Sequence, residues 1–316
     1  MVLPGYGSGA QPSVWQPDTL QELQNIREQI EGTRCYVAGG TLLRTQWEAS
    51  SKVLPEHLVS LACIPEISGI SMQGDEIVIG AMTRLRECAT DPLLSRFPIL
   101  HQAILAIAAP SVRNLATIGG NIASGIGDSL PALLVYDAEL HLLTCRGMET
   151  QRVALWLENG RDNKLNADDV LISIHIPFRN ATVNLSTSDP EQYVYETEQS
   201  IPERNHQISF YRKLGRREAF TASLVTVAFH GEVSPQDGRW TQVAIAAGGG
   251  SGIAVRLTET EYWLRSGKAD ASQAAGLATQ AVAEFVSYTD AFATELYRRQ
   301  SAGNMLGAGL WQAFHP

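Results

Sequence analysis

The chain has only four cysteines in 316 residues (Cys35, Cys63, Cys88 and Cys145), and no two of them form a CxxC. Zinc ribbons and iron–sulfur clusters need closely spaced thiolates, so neither is expected, and neither is any other metal site. Basic charge is also short. There are 24 Lys and Arg against 33 Asp and Glu, a formal net charge of −9, which argues against a general binder of nucleic acid or of an anionic membrane. No apolar run is long enough to cross a bilayer. The opening MVLPGYGSGAQPS lacks the basic stretch and apolar core of an export signal. The expected location is the reducing cytosol, with four ordinary thiols. The histidines (His57, His101, His141, His175, His206, His230 and His315) are dispersed, with no pair at the helix-face spacing of zinc ligands. There is no GxSxG elbow, and no acid–base catalytic residue is expected.

What is present is a large core. Hydrophobic residues make up 44% and charged residues 18%, the balance of a globular chain, and the length suits two compact domains. Residues 1–17, rich in Gly, Pro and Ser, read as a flexible arm. Thr19 and Glu22 stand at capping-box spacing before Leu20, Leu23, Ile26 and Ile30, which predicts a helix over 19–31 closed by Gly32. Strands are expected at Cys35–Ala38, Leu58–Leu61, Ile77–Ile79, Glu139–Thr144 and Val170–Ile176, and later at Ile208–Lys213, Ala222–Phe229 and Gln242–Ala247. Helices are expected near Thr83–Cys88 and Ile99–Ile107, with a helical turn at Leu130–Val135. The polar stretch 181–206 with Pro190 and Pro202 reads as a linker, and the Ala-rich 269–300 as helix finishing at Arg298-Arg299. Mixed elements followed by strands and then helices indicate α+β architecture. The expected divisions are 18–180, in parts 18–68 and 69–180, and 207–316.

Two glycine turns stand out, Val37-Ala38-Gly39-Gly40-Thr41 and Thr117-Ile118-Gly119-Gly120-Asn121. Paired glycines let a backbone adopt positive φ and approach a bulky ligand closely. Successive N–H groups in such a turn attract phosphate oxygens without Lys or Arg. Two of these turns meeting in space would grip a diphosphate from both sides. Singly, each reads more simply as a plain tight turn.

The flanks decide between those readings. YVAGGTLL, and later SVRNLATIGGNIAS with DSLPALLVYDAEL, resemble the FAD-binding medium subunit of the molybdenum hydroxylases, the family of xanthine dehydrogenase, carbon monoxide dehydrogenase and aldehyde oxidoreductases. HLVSLACIPEISGI with IVIGAMT, DVLISIHIPF, FYRKLGRREAFTASLVTVAF and AAGGGSGIAVRLTETEYWLRSGK extend the resemblance over roughly residues 15–310. It implies a two-subdomain, PCMH-like FAD-binding fold followed by an α+β C-terminal domain of the CO dehydrogenase flavoprotein type, with FAD held noncovalently. Carried over by position, Tyr36, Val37, Ala38, Gly39, Gly40, Thr41, Leu42 and Leu43 would wrap the FAD diphosphate together with Thr117, Ile118, Gly119, Gly120 and Asn121. Asp128 would sit near the ribityl or pyrophosphate end, Leu171 would pack on the flavin ring, and Lys213 would reach it from the C-terminal domain. Ile107 stands where some relatives place an aromatic residue against the cofactor. The loop 122–127 is shorter than in many relatives. Molybdopterin and 2Fe–2S centres would belong to a large and a small partner subunit, and the electron acceptor would be NAD+, oxygen, a quinone or another oxidant. Rival readings are a stand-alone flavin oxidoreductase, and a binding or assembly protein that kept the fold without FAD.

Other features read more plainly. Gly248-Gly249-Gly250-Ser251-Gly252 departs from GxGxxG at Ile253 and reads as a turn at a domain edge. Cys35 reads as core packing. Arg212, Lys213, Arg216 and Arg217 form a basic cluster at a strand end, and Arg113 is expected to brace the second turn rather than meet the cofactor.

Overall fold

In the computed structural model the described residues are 11–161, 166–178, 206–216 and 223–315. Most of the expected linker, together with Arg217, lies outside them. Three sheets follow one another along the chain. The first is parallel, in the order β1-β3-β2, from β1 (Ser13–Trp15), β2 (Arg34–Val37) and β3 (His57–Ser60). The second, antiparallel, has the order β4-β5-β8-β6-β7, from β4 (Ile70–Gln73), β5 (Glu76–Gly80), β6 (Glu139–Thr144), β7 (Gly147–Arg152) and β8 (Val170–Pro177). The third, also antiparallel, has the order β12-β11-β10-β9, from β9 (His206–Gly215), β10 (Ser223–Val233), β11 (Trp240–Gly249) and β12 (Gly252–Arg256).

The arm expected at 1–17 is in part a strand. Ser13, Val14 and Trp15 pair with His57, Leu58 and Val59, and the Trp15 indole donates to His57 Nδ1 at 3.3 Å. Three residues are too few to show a period of two, so the Gly and Pro before them dominated the reading. The first helix runs Leu20–Gln29, capped as expected by Thr19, which accepts from the Glu22 amide at 3.1 Å. Its buried Leu23 and Ile26 join Val59, Ile64 and Ile67 against Leu143, Val170 and Ile172 of the five-stranded sheet.

The opposite face of that sheet builds the main core. Ile77, Ile79, Leu140, Ile174 and Ile176 pack on the helices Pro98–Ala106 and Leu130–Val135. The second helix is buried on every side because the third sheet covers it, with the small Ala228, Ala244 and Ala246 allowing close approach. On its other face, Val225, Val227, Phe229 and Ile245 meet Leu264, Leu277, Ala302, Leu306 and Leu310 of the C-terminal helices. Covered on both faces, β10 and β11 read as nearly continuous apolar runs. The final helix reaches from Glu295 to Phe314, well beyond Arg299.

Candidate functional site

Each glycine turn opens a helix. Gly40, with φ of 67°, is the N-cap of Thr41–Glu48, and no side chain caps that helix. Its first amides therefore lack intrahelical partners and remain donors for a ligand. The second turn differs. Thr117 caps Ile118–Ala123 by accepting the Gly120 amide at 3.0 Å. The amides of Ile118, Gly119 and Asn121 donate to the carbonyls of Thr83, Ala81 and Thr117. The second turn therefore turns its amides inward, and its part in the site comes from shape. A Cβ on Gly39 would lie 2.1 Å from the Leu115 carbonyl oxygen, and one on Gly119 would lie 2.5 Å from that of Ala81. Arg113, expected to brace the second turn, instead donates to the carbonyls of Ile107 and Ala108 upstream of it, at 2.8 and 2.7 Å.

The two turns face one cavity of about 1040 Å³, at the upper end of the range for cofactor sites. Residues implied by the resemblance reach its wall at both turns, and Ile107, Asp128, Leu171 and Lys213 do so as well. Val37 and Ile118 do not: Val37 is half-buried in β2 and Ile118 is wholly buried in the core. Leu140, Leu142, Trp156 and Leu171 give the wall an apolar stretch, while Lys52, Asn166 and Asp169 make part of it polar. Cys35, read from sequence as core packing, lines the cavity instead, and burial pushes its thiol up.

The loop expected at 122–127 begins only after the helix Ile118–Ala123, and residues 124–127 fold back on Asn121. Its Oδ1 accepts from the Ser129 amide at 3.3 Å and hydroxyl at 2.6 Å. A Cβ on Gly127 would lie 2.3 Å from the same oxygen, so glycine permits this turn. The loop delivers Asp128 to the third sheet. There Tyr211 donates to its carbonyl at 2.9 Å, Lys213 Nζ to Oδ2 at 2.7 Å and Ser223 to Oδ1 at 2.5 Å.

Two polar atoms in this wall lack partners among the described residues, the Tyr36 hydroxyl and Asp169 Oδ1. Burial pushes both groups up, against the nearby Arg27 in each case. Unsatisfied buried polar atoms are costly unless a ligand meets them. A cavity of this volume with open amides at one helix start, an apolar stretch and orphaned polar atoms fits a dinucleotide carrying an aromatic ring system. Sequence reasoning passed over Asp169, although it lies two residues before Leu171, the spacing that shares a face in a strand. It also passed over Ser223 and Gly250, which join the wall only because the third sheet docks there.

A family model described as the FAD binding domain in molybdopterin dehydrogenase matches residues 9–179, and one described as the CO dehydrogenase flavoprotein C-terminal domain matches 209–313. The carbon monoxide dehydrogenase medium chain of Hydrogenophaga pseudoflava is 36% identical over 164 residues, 51% of this chain and 57% of that one. The xanthine dehydrogenase FAD-binding subunit of Escherichia coli O157:H7 is 32% identical over 125 residues, 38% of this chain and 43% of that one. The matches thus span about half the length of these curated relatives. The solved carbon monoxide dehydrogenase from Hydrogenophaga pseudoflava that lacks the Mo-pyranopterin moiety of its cofactor superposes with a TM-score of 0.78 at 23% identity, over 96% of this chain and 99% of that one. At that identity the likeness is one of fold.

Proposed function

The chain belongs to the family of FAD-binding domains of molybdopterin dehydrogenases, and from that premise we propose that it is the FAD-carrying electron-transfer subunit of a heteromeric molybdenum hydroxylase. Bound FAD supplies one- and two-electron redox chemistry, which lets single electrons from an iron–sulfur partner leave toward NAD+, oxygen or another acceptor. The chain's own residues bind and orient. The open amides of Thr41, Leu42 and Leu43 would hold phosphate oxygens, Leu171 and its apolar neighbours would pack the ring system, and Lys213 would offer a cation. Substrate hydroxylation is assigned to a molybdopterin-binding large subunit, and the one-electron supply to a 2Fe–2S small subunit.

The observation that carries this reading is that both glycine turns line a single cavity, with Gly39 of the first packed on the backbone of Leu115 and Ala116 that leads into the second. The test is flavin content. The purified chain is expected to be yellow, with FAD released on denaturation. A colourless, folded chain that cannot be reconstituted with FAD overturns the reading and favours an assembly protein. Turnover by the isolated chain without partners would instead mark a stand-alone oxidoreductase. Co-purification from the native source, with metal and cofactor analysis, tests the partners.

A further inference from the structure

Lys213 carries three N–H donors. Two are engaged, one with the Ala106 carbonyl at 2.8 Å and one with Asp128 Oδ2 at 2.7 Å. The third is left for an acceptor in the cavity that Lys213 lines. Its aim depends on where Asp128 holds the ammonium, and that in turn depends on Ser223.

Ser223 is 3% exposed, in the wall of the cavity. A hydroxyl has one proton and an ionised carboxylate only accepts, so the Ser223 proton points at Asp128 Oδ1, 2.5 Å away. Its lone pairs then face the Gly250 amide, which donates at 3.2 Å. Gly250 sits in the β11–β12 turn with φ of 65°, where a Cβ would lie 2.0 Å from the Tyr288 hydroxyl oxygen. The next residue, Leu224, has its carbonyl held by Arg298 Nη1 at 2.6 Å. Arg298 is 1% exposed and lies 4.4 Å over the Tyr288 ring. Ser223 is thus fixed through its side chain and through its neighbour's main chain.

Resting on the FAD reading above, we propose that Ser223 is a positioning residue of the cofactor site, acting through Asp128. It sets the carboxylate so that the free N–H of Lys213 points at an acceptor oxygen of the bound flavin nucleotide. The glycine-rich turn 248–252, a domain-edge turn from sequence, supplies the amide that orients it.

The experiment uses the full chain, stripped of flavin and titrated with FAD, as parent, Ser223→Ala, Asp128→Asn and the double variant, with thermal melts to check folding. Ser223→Ala is expected to weaken FAD binding about tenfold, the scale of one hydrogen bond to a charged group. It should also shift the flavin midpoint potential to more negative values, as a nearby cation loses its aim. The double variant is expected to bind within about twofold of Asp128→Asn alone, because Ser223 then has no carboxylate to act on. If Ser223→Ala does not fold, Ser223→Cys, with a weaker donor of similar size, carries the same comparison. A folded Ser223 variant with the parent's affinity and potential overturns the inference and leaves the FAD reading standing. Losses that simply add in the double variant overturn it as well. A parent that binds no FAD removes the underlying reading instead.

Discussion

The main chain at Gly39 lies so close to Leu115 that a side-chain Cβ would sit 2.1 Å from the Leu115 carbonyl oxygen and 2.9 Å from the Ala116 Cα. Both neighbours are backbone, so no rotamer change relieves the clash. Gly39→Ala must push the two turns apart. The expected cost is about 3 kcal/mol, at the upper end for overpacking, with loss of flavin. Denaturant unfolding measures it, and an unchanged midpoint would show that the turns have slack.

Gly120 presents the opposite case. A Cβ there would meet only Thr117 Oγ1 at 3.1 Å and the Ala38 methyl at 3.8 Å. A β-branched side chain there needs the Thr117 hydroxyl to give by a few tenths of an ångström, and Gly120 lines the cavity. Gly120→Val is expected to lose at least about nine-tenths of its FAD, on the scale of a blocked contact. Its C-terminal domain should stay folded. Flavin absorbance per chain after gel filtration reads the outcome; parental flavin content would show that the second turn is not at the ligand.

Arg34 holds Asp168 through two hydrogen bonds, at 2.6 and 2.9 Å, tying the first sheet to the segment entering β8. Those bonds, with the guanidinium's charge, keep the Asp168 carboxyl below its ordinary value. The resulting stability is present above the unfolded value of about 3.9 and is lost as pH falls through the lower folded value. Both side chains are partly exposed, so the contribution is at most about 1 kcal/mol. Asp168→Asn should lower the unfolding midpoint slightly near neutral pH, and this difference from the parent should vanish in strong acid. A difference that persists undiminished in acid contradicts an electrostatic origin.

His141 stacks on His175 with ring centroids 3.5 Å apart and planes 12° from parallel. His175 is itself held between Glu76 Oε2 at 3.1 Å and Ser173 Oγ at 3.0 Å. Burial, reinforced by His175, lowers the His141 value. A lowered histidine stays neutral in the fold while the unfolded chain takes up protons. Stability therefore declines as pH drops below about 6.5 and through the folded value. His141→Gln is expected to flatten that part of the pH–stability curve. A proton-NMR titration placing His141 above the free-histidine value would sink the account.

Much of this was legible beforehand. Glu139–Thr144 was placed residue for residue because its apolar positions alternate between turn signals, and Gly39 and Gly120 were visible as turns because paired glycine has few other uses. Arg298 was not. The Ala-rich helix was expected to finish at Arg298-Arg299, yet Arg298 lies inside the helix Glu295–Phe314 and is 1% exposed. Its Nη2 stands 2.7 Å from Asp290 Oδ2, close enough for Coulomb attraction though misaligned for a hydrogen bond. Periodicity assigns an element but not the depth to which neighbours bury it. The inward amides of the second turn were hidden for a similar reason. Two of their acceptors, Ala81 and Thr83, are brought in by a different part of the chain.

Tyr211, Lys213 and Ser223 grip Asp128 from a sheet encoded long after the glycine turns. During translation the nascent polypeptide therefore has both bends before it has the clamp. The part of the cavity wall that Lys213 and Ser223 supply closes only once β9 and β10 have left the ribosome and docked.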